Sequence, residues 1–158
     1  MNTSTLFKGE GQRLLQLGMA LFLYSSLDGF AIPFLRSPRI GLSVHTLSAL
    51  QAVMLLAFGL LWPKLRLSQR GDKLAFWCLV YSTLSILAAY TVAAFWGVGI
   101  ETISLMGELP HGLTQGTPFQ EAFIKVLAYS SAPTGLTAFV LVLWGLQVTE
   151  PNSPATAV

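Results

Sequence analysis

The sequence has few charged residues and a single cysteine. Only 10% of its 158 residues are Asp, Glu, Lys or Arg, whereas about a quarter of an average soluble domain is charged. The Lys and Arg residues are scattered and the formal net charge is +2, so no dense basic surface for nucleic acid is expected. The lone Cys78 excludes an intramolecular disulfide and a cysteine-based metal cluster. We therefore expect no nucleic-acid partner, and we expect Cys78 to be a small buried residue.

Long apolar runs account for most of the chain. Hydrophobic residues make up 53% of it, and the mean hydropathy is +0.63. Four runs each approach the roughly 20 residues that a helix needs to cross about 30 Å of hydrocarbon. They cover about 13–34, 42–62, 74–100 and 119–147. The sequence therefore predicts an all-α fold, an integral membrane bundle of four transmembrane helices.

Basic residues are distributed unevenly about the four predicted helices. The termini and the second connection carry most of them, namely Lys8, Arg13, Lys64, Arg66, Arg70 and Lys73. The opposite side has only Arg36, Arg39 and Lys125. By the positive-inside rule, both termini should be cytoplasmic. We divide the chain into a cytoplasmic N-terminal segment at 1–12, a membrane domain at 13–149 and a disordered tail at 150–158. The first apolar run is too long for a cleaved signal peptide.

Polar groups inside the predicted helices are the candidates for function, because each is costly in lipid unless it meets a partner, a cavity or a cofactor. Tyr24 and Asp28 lie four residues apart in the first helix. Glu121, Lys125 and Tyr129 step by four along one face of the fourth. Two interpretations remain open for such groups. They can neutralise charge at a functional site, or they can be a boundary ion pair and hydroxyls bonded to their own backbone.

His45 lies about one turn inside the second predicted helix. The positions that follow on its face are all small, namely Ser48, Ala49, Ala52 and Gly59. Small residues beneath a histidine would let a flat macrocycle lie on the helix with a ring nitrogen bound to iron. They would equally suit close packing of two helices. His111 lies in a Gly- and Pro-flanked connection and is expected at the surface, and no histidine pair has the spacing of a zinc or di-iron site.

Three stretches of the sequence carry a resemblance to a known family. The first is Ser-Pro-Arg-Ile-Gly-Leu-Ser-Val-His at 37–45, followed by an apolar run that ends Gly-Leu-Leu-Trp-Pro-Lys-Leu at 59–65. The second combines Tyr-Ser-Thr at 81–83 with Ala-Ala-Phe-Trp-Gly at 93–97. The third combines Thr-Pro-Phe-Gln-Glu-Ala at 117–122 with Val-Leu-Trp-Gly at 142–145. Over about 18–147 the chain thus resembles the hydroxylaminobenzene mutase family of small bacterial membrane enzymes, which is distantly similar to styrene oxide isomerase.

The resemblance implies an isomerase that converts an N-arylhydroxylamine to a 2-aminophenol without net redox change. Styrene oxide isomerase is a trimer that holds haem b at subunit interfaces through a histidine of its second helix, and His45 falls on that histidine. We therefore expect ferric haem b on His45 as a Lewis acid, a homotrimer in a bacterial inner membrane and a small aromatic substrate. Ser48, Ala49 and Ala52 would contact the haem. Arg36 and Arg39 are the nearest cations for its propionates.

The resemblance also suggests catalytic residues. Gln51 stands where styrene oxide isomerase has an asparagine thought to orient the substrate, and it keeps the amide on a side chain longer by one methylene. Tyr90 lies near the position of that enzyme's functional tyrosine. Rearomatisation requires a proton transfer, for which the candidates are Asp28, Glu121, Tyr90 and Tyr129.

Three other functions stay open at this point. An isomerase of epoxides would use the same Lewis-acid site. A haem electron-transfer membrane subunit would commonly need a second histidine ligand. A small transporter or a structural interaction protein would use the polar groups to line a path or a partner face.

Overall fold

The computed structural model describes residues 3–103 and 114–147, with side chains from Gly9 onward. It contains four long helices: α1 (Thr3–Ala31), α2 (Pro38–Leu61), α3 (Gln69–Trp96) and α5 (Pro118–Gly145). A single-turn helix, α4 (Ile100–Ile103), follows α3, and the 3-10 turns Ile32–Phe34 and Trp62–Lys64 follow α1 and α2. No strand occurs among the described residues. His111 and the predicted tail at 150–158 lie outside them.

The four long helices confirm the predicted all-α membrane fold. Each is long and apolar enough to cross a bilayer. Many large apolar side chains face outward, and Phe34 is 88% exposed. A soluble monomer rarely leaves so much apolar surface in water. The protein is therefore a multi-pass membrane protein, and the core inside the bundle is only part of its apolar surface.

The helix boundaries differ from the predicted ones because local capping groups set them. α2 begins at Pro38, since proline suits the first helical position, and the Ser37 side chain makes no capping hydrogen bond. α3 begins after Ser68, whose side chain accepts a hydrogen bond from the Gly71 amide, and it ends before Gly97, which adopts a left-handed conformation. α5 begins with a capping box between Thr117 and Gln120. α1 extends back to Thr3, because apolar residues mark the membrane run and not the start of the helix.

The bundle consists of two helix pairs. α1 packs chiefly on α2, α3 packs chiefly on α5, and the contact of α2 with α3 joins the pairs. At one end, which we call the distal end, the Ser37 amide donates to the Ala94 carbonyl. At the other, the basic end, the Arg66 amide donates to the Gly145 carbonyl. His45 lies near the distal end, nearly two turns after Arg39, the second of the two arginines Arg36 and Arg39.

Candidate functional site

The small residues that follow His45 on α2 pack against α1 or lie inside the bundle. A Cβ atom built on Gly59 would lie 3.0 Å from the carbonyl oxygen of Gly11 in α1, so the two backbones are in direct contact. Ser48 and Ala52 are both 0% exposed. Close packing therefore explains these positions, and in the single chain neither Ser48 nor Ala52 presents a surface to a macrocycle. Ala49 is half-buried and remains a candidate for such a contact.

The ring of His45 is oriented by α1. Its Nδ1 lies 2.9 Å from the backbone carbonyl oxygen of Ser25. A carbonyl oxygen only accepts hydrogen bonds, so Nδ1 carries the proton and donates it to Ser25. The Ser25 hydroxyl donates in return to the His45 carbonyl, at 2.9 Å. In this tautomer Nε2 keeps its lone pair, which is the state in which a histidine binds a metal.

Gly29 supports the same ring from one turn further along α1. A Cβ atom at this position would lie 3.3 Å from both Cε1 and Nδ1 of His45. The imidazole therefore packs directly on the glycine backbone. Ser25 and Gly29 together hold the ring in one place, and neither contact was predicted from the sequence.

Asp28 is the carboxylate beside His45. It lies between Ser25 and Gly29 on α1, both of which contact the imidazole. Its Oδ2 atom is buried and has no hydrogen-bond partner among the described residues. Arg36 and Arg39 are exposed at the same end of the bundle. The distal end thus combines a metal-binding tautomer of histidine, a carboxylate with an unused oxygen and two cations.

Gln51 and Tyr90 lie inside the bundle. The Thr83 hydroxyl of α3 donates to Gln51 Oε1 across 3.2 Å. Gln51 follows His45 on α2 by nearly two turns, so its amide lies deeper in the membrane. Tyr90 is half-buried and packs against the hydrophobic core. Tyr129, by contrast, is 60% exposed on α5, and no described contact joins it to His45 or Asp28.

Glu121 makes hydrogen bonds with backbone amides that could not be predicted from the sequence. Its Oε1 accepts hydrogen bonds from the amides of Gly99 and Gly116, at 2.9 and 3.0 Å. The side chain is only 5% exposed. Lys125 is exposed, and within the described ranges no ion pair joins it to Glu121. The interpretation of these two residues as a boundary ion pair is therefore not supported, and Glu121 instead ties the end of α3 to the start of α5.

A groove of about 540 Å³ runs between α1 and α3. Its walls are almost entirely apolar and include Leu17, Leu21, Leu55, Val80, Leu87 and Val92. At the end nearer to Asp28, the Tyr24 hydroxyl lies 3.0 Å from the Thr91 hydroxyl. Thr91 donates its own proton to the Leu87 carbonyl. Tyr24 is therefore the donor in the pair, and its oxygen keeps lone pairs that can accept a further hydrogen bond.

These helices and side chains define a multi-pass membrane protein with a polar cluster around His45. Residues 10–147 match the family model described as styrene oxide isomerase. Hydroxylaminobenzene mutase HabB of Ectopseudomonas oleovorans is 41% identical over 136 residues, which are 86% of this chain and 80% of the relative. Hydroxylaminobenzene mutase HabA of the same organism is 30% identical over 129 residues, or 82% of this chain and 93% of the relative. No solved structure gives a significant match.

The chain therefore belongs to the styrene oxide isomerase family. The two mutase relatives match most of the chain, which confirms the resemblance found in the motifs. The protein is an isomerase of the mutase type.

Proposed function

We propose that this protein is a membrane isomerase that converts N-arylhydroxylamines of the hydroxylaminobenzene type into 2-aminophenols. The N–O bond breaks, a C–O bond forms at the ortho carbon, and the proton displaced from that carbon replaces the hydroxyl on nitrogen. Atoms and electrons balance, so no external redox partner is needed. The observation that carries the proposal is His45, oriented by Ser25 and Gly29 on either side of Asp28 in α1, in a chain 41% identical to a hydroxylaminobenzene mutase.

The residues around His45 fit a haem b group. Neutral imidazole bound through one nitrogen, with the other donating to a carbonyl oxygen, is a common axial ligand of haem iron. Arg36 and Arg39 are exposed cations at the same end that would bind the propionates, and half-buried Ala49 would pack beside the ring. When bound, ferric haem would supply a Lewis acid that weakens the N–O bond.

The side chains supply binding and proton transfer. Asp28 has a buried oxygen without a partner among the described residues, so its carboxylate is available to take the ortho proton and return it to nitrogen. The Gln51 amide, held by Thr83, would orient the polar part of the substrate. The apolar bundle excludes water that would otherwise capture the positive charge developing on the ring. Glu121 also has a buried oxygen, Oε2, without a partner among the described residues, but its Oε1 accepts two amides and no described contact joins it to His45.

A complete site calls for more than one copy of the chain. His45 is only half-buried, and it lines neither the α1–α3 groove nor the cavity near Glu121. A second copy against α1 and α2 would cover the exposed side of the imidazole. On similarity to styrene oxide isomerase we propose a homotrimer. We also propose that it lies in the bacterial inner membrane with both termini in the cytoplasm, as the Lys and Arg distribution favours.

The test compares two substrates on the same membranes. Membranes that contain the protein should convert phenylhydroxylamine to 2-aminophenol, and His45→Ala should abolish the conversion. The product formed in ¹⁸O-labelled water should stay unlabelled if the hydroxyl transfer is intramolecular. The family match makes styrene oxide the second candidate substrate, with phenylacetaldehyde as its product. Conversion of styrene oxide alone would replace the proposed reaction, and a purified protein without a haem absorption band would refute the cofactor.

A further inference from the structure

The α1–α3 groove is separate from the imidazole of His45 and opens to the outside of the bundle. The helices that form it pack mainly on other partners, α1 on α2 and α3 on α5, so they do not close on each other. Leu84, which lines the groove, is 46% exposed. A second depression, lined by Leu17, Ala20 and Val80 as well, continues the groove toward Arg13 and the basic end. A molecule dissolved in the bilayer can therefore reach the groove sideways.

The polarity of the groove is concentrated at one end. Along its length the walls are aliphatic apart from Thr83, whose hydroxyl donates to Gln51, and the Tyr24–Thr91 hydroxyl pair lies at the distal end. Because Thr91 donates to its own helix and its oxygen accepts from Tyr24, the Tyr24 oxygen is an acceptor that no described residue uses. An occupant therefore needs a flat or compact apolar body and one N–H or O–H donor at its head. A lipid acyl chain has no such donor.

The groove is large enough for a molecule with one aromatic ring and lies next to the polar residues of α1. An apolar cavity of about 150 Å³ is enough to bind benzene in another protein, and this groove has about 540 Å³. Tyr24 lies one helical turn before Asp28 on the same face of α1. A ligand held with its polar head at Tyr24 would therefore point toward the carboxylate beside His45.

We propose that the α1–α3 groove is a binding site for small aromatic amphiphiles, with the ring against the aliphatic walls and an N–H or O–H group donating to the Tyr24 oxygen. The proposal rests on the proposed function in one respect, since it identifies this ligand with the arylhydroxylamine substrate before it reaches His45. Tyr24 and Thr91 then select molecules with a polar head, and Ala88 leaves room for the ring.

The test uses a photoreactive analogue that cannot react at His45. Benzyl alcohol has the shape of phenylhydroxylamine, with CH₂ in place of NH, so 4-azidobenzyl alcohol is the probe. The full-length protein in lipid nanodiscs is irradiated with the probe, and the labelled residues are mapped by mass spectrometry. Labels should fall within residues 17–24 and 80–92, and excess benzyl alcohol should remove them. His45→Ala protein should label equally, because the groove does not include that residue.

Variants at the groove distinguish the contribution of the ring to binding from that of the polar head group. Ala88→Phe should reduce labelling strongly, whereas Ala132→Phe, at an exposed alanine of α5, should leave it unchanged. Tyr24→Phe should weaken benzyl alcohol binding by about two- to tenfold, which is the usual effect of one lost hydrogen bond. It should leave binding of 4-azidotoluene, which has no donor, unaltered. If Tyr24→Phe does not fold, Thr91→Val tests the same pair. It removes the hydroxyl that holds the Tyr24 hydroxyl in place, so benzyl alcohol binding should again weaken.

Several results would overturn the proposal. Labels on the outer face of α5 would contradict it, and so would labels that benzyl alcohol does not remove. Crosslinks between copies through α1 and α3 would also contradict it, because they would show that the groove is a subunit interface. The proposed function fails differently. A protein that labels in the groove but does not convert phenylhydroxylamine keeps the binding site and loses the reaction. A protein that converts it, with an unchanged KM in Ala88→Phe and labels elsewhere, keeps the reaction and loses the binding site.

Discussion

Removing the Glu121 side chain should destabilise the protein through lost hydrogen bonds, and not through loss of a catalytic group. Glu121→Ala deletes the oxygen that accepts hydrogen bonds from the Gly99 and Gly116 amides, at 2.9 and 3.0 Å. The site is 95% buried, since Glu121 is 5% exposed, so water cannot readily replace the carboxylate. The buried Gly99 amide left without a partner costs about 1–3 kcal/mol, and the part-buried Gly116 amide, which water can reach, adds less. That loss is large against a total stability of about 5–15 kcal/mol.

Glu121→Gln separates the structural role from a catalytic one. The amide oxygen of glutamine can accept from both glycine amides, so we expect stability within about 1 kcal/mol of the parent and nearly full turnover. Glu101→Ala is the matched control, because Glu101 lines the same small cavity but is exposed. Unfolding in mixed detergent micelles, followed by tryptophan fluorescence, measures stability, and 2-aminophenol formation measures turnover. A stable but inactive Glu121→Gln would refute the reasoning and assign the carboxyl a chemical role.

Three further variants test the helix contact and the haem site. Gly59→Ala should destabilise by about 1–3 kcal/mol through overpacking, whereas Gly9→Ala, which meets nothing within 4 Å, should not; equal effects in the unfolding assay would contradict the close helix contact. His45→Ala should lose the haem absorption band and turnover together while the helices still insert, and added imidazole should restore part of the band; a normal band in the mutant would exclude this ligand. Replacing both Arg36 and Arg39 by Gln should weaken haem retention in detergent, and unchanged retention would leave them as boundary residues.

The four membrane helices could be predicted from sequence because length and apolarity alone decide whether a segment crosses a bilayer. Their ends could not, since they depend on single groups. Gly97 ends α3 before the predicted residue 100 by adopting a left-handed conformation. Thr117 begins α5 through a capping box. An apolar run contains neither kind of information about where its helix starts or stops.

The candidate site was predicted in part. His45 and Asp28 stood out because polar groups are rare in lipid. Their neighbours could not be inferred, because the Ser25 contact with His45 depends on how far α1 is shifted along α2. The small residues below His45 fitted both a macrocycle and a neighbouring helix, and at Gly59 the structure shows the helix. The partners of Glu121 are backbone amides, and the pattern of side chains in a sequence does not indicate which backbone amides will lie nearby.

The pairing of α1 with α2 and of α3 with α5 has a consequence for biogenesis. Each pair joins consecutive long helices, so the first hairpin can form while the ribosome is still making the second. Docking of the two hairpins through α2 and α3 is then the last step of assembly within the chain. The protein should accordingly tolerate a break in its backbone within the connection that leads from Leu65 to Ser68. Two half-length polypeptides, co-expressed, should assemble in the membrane into the same bundle.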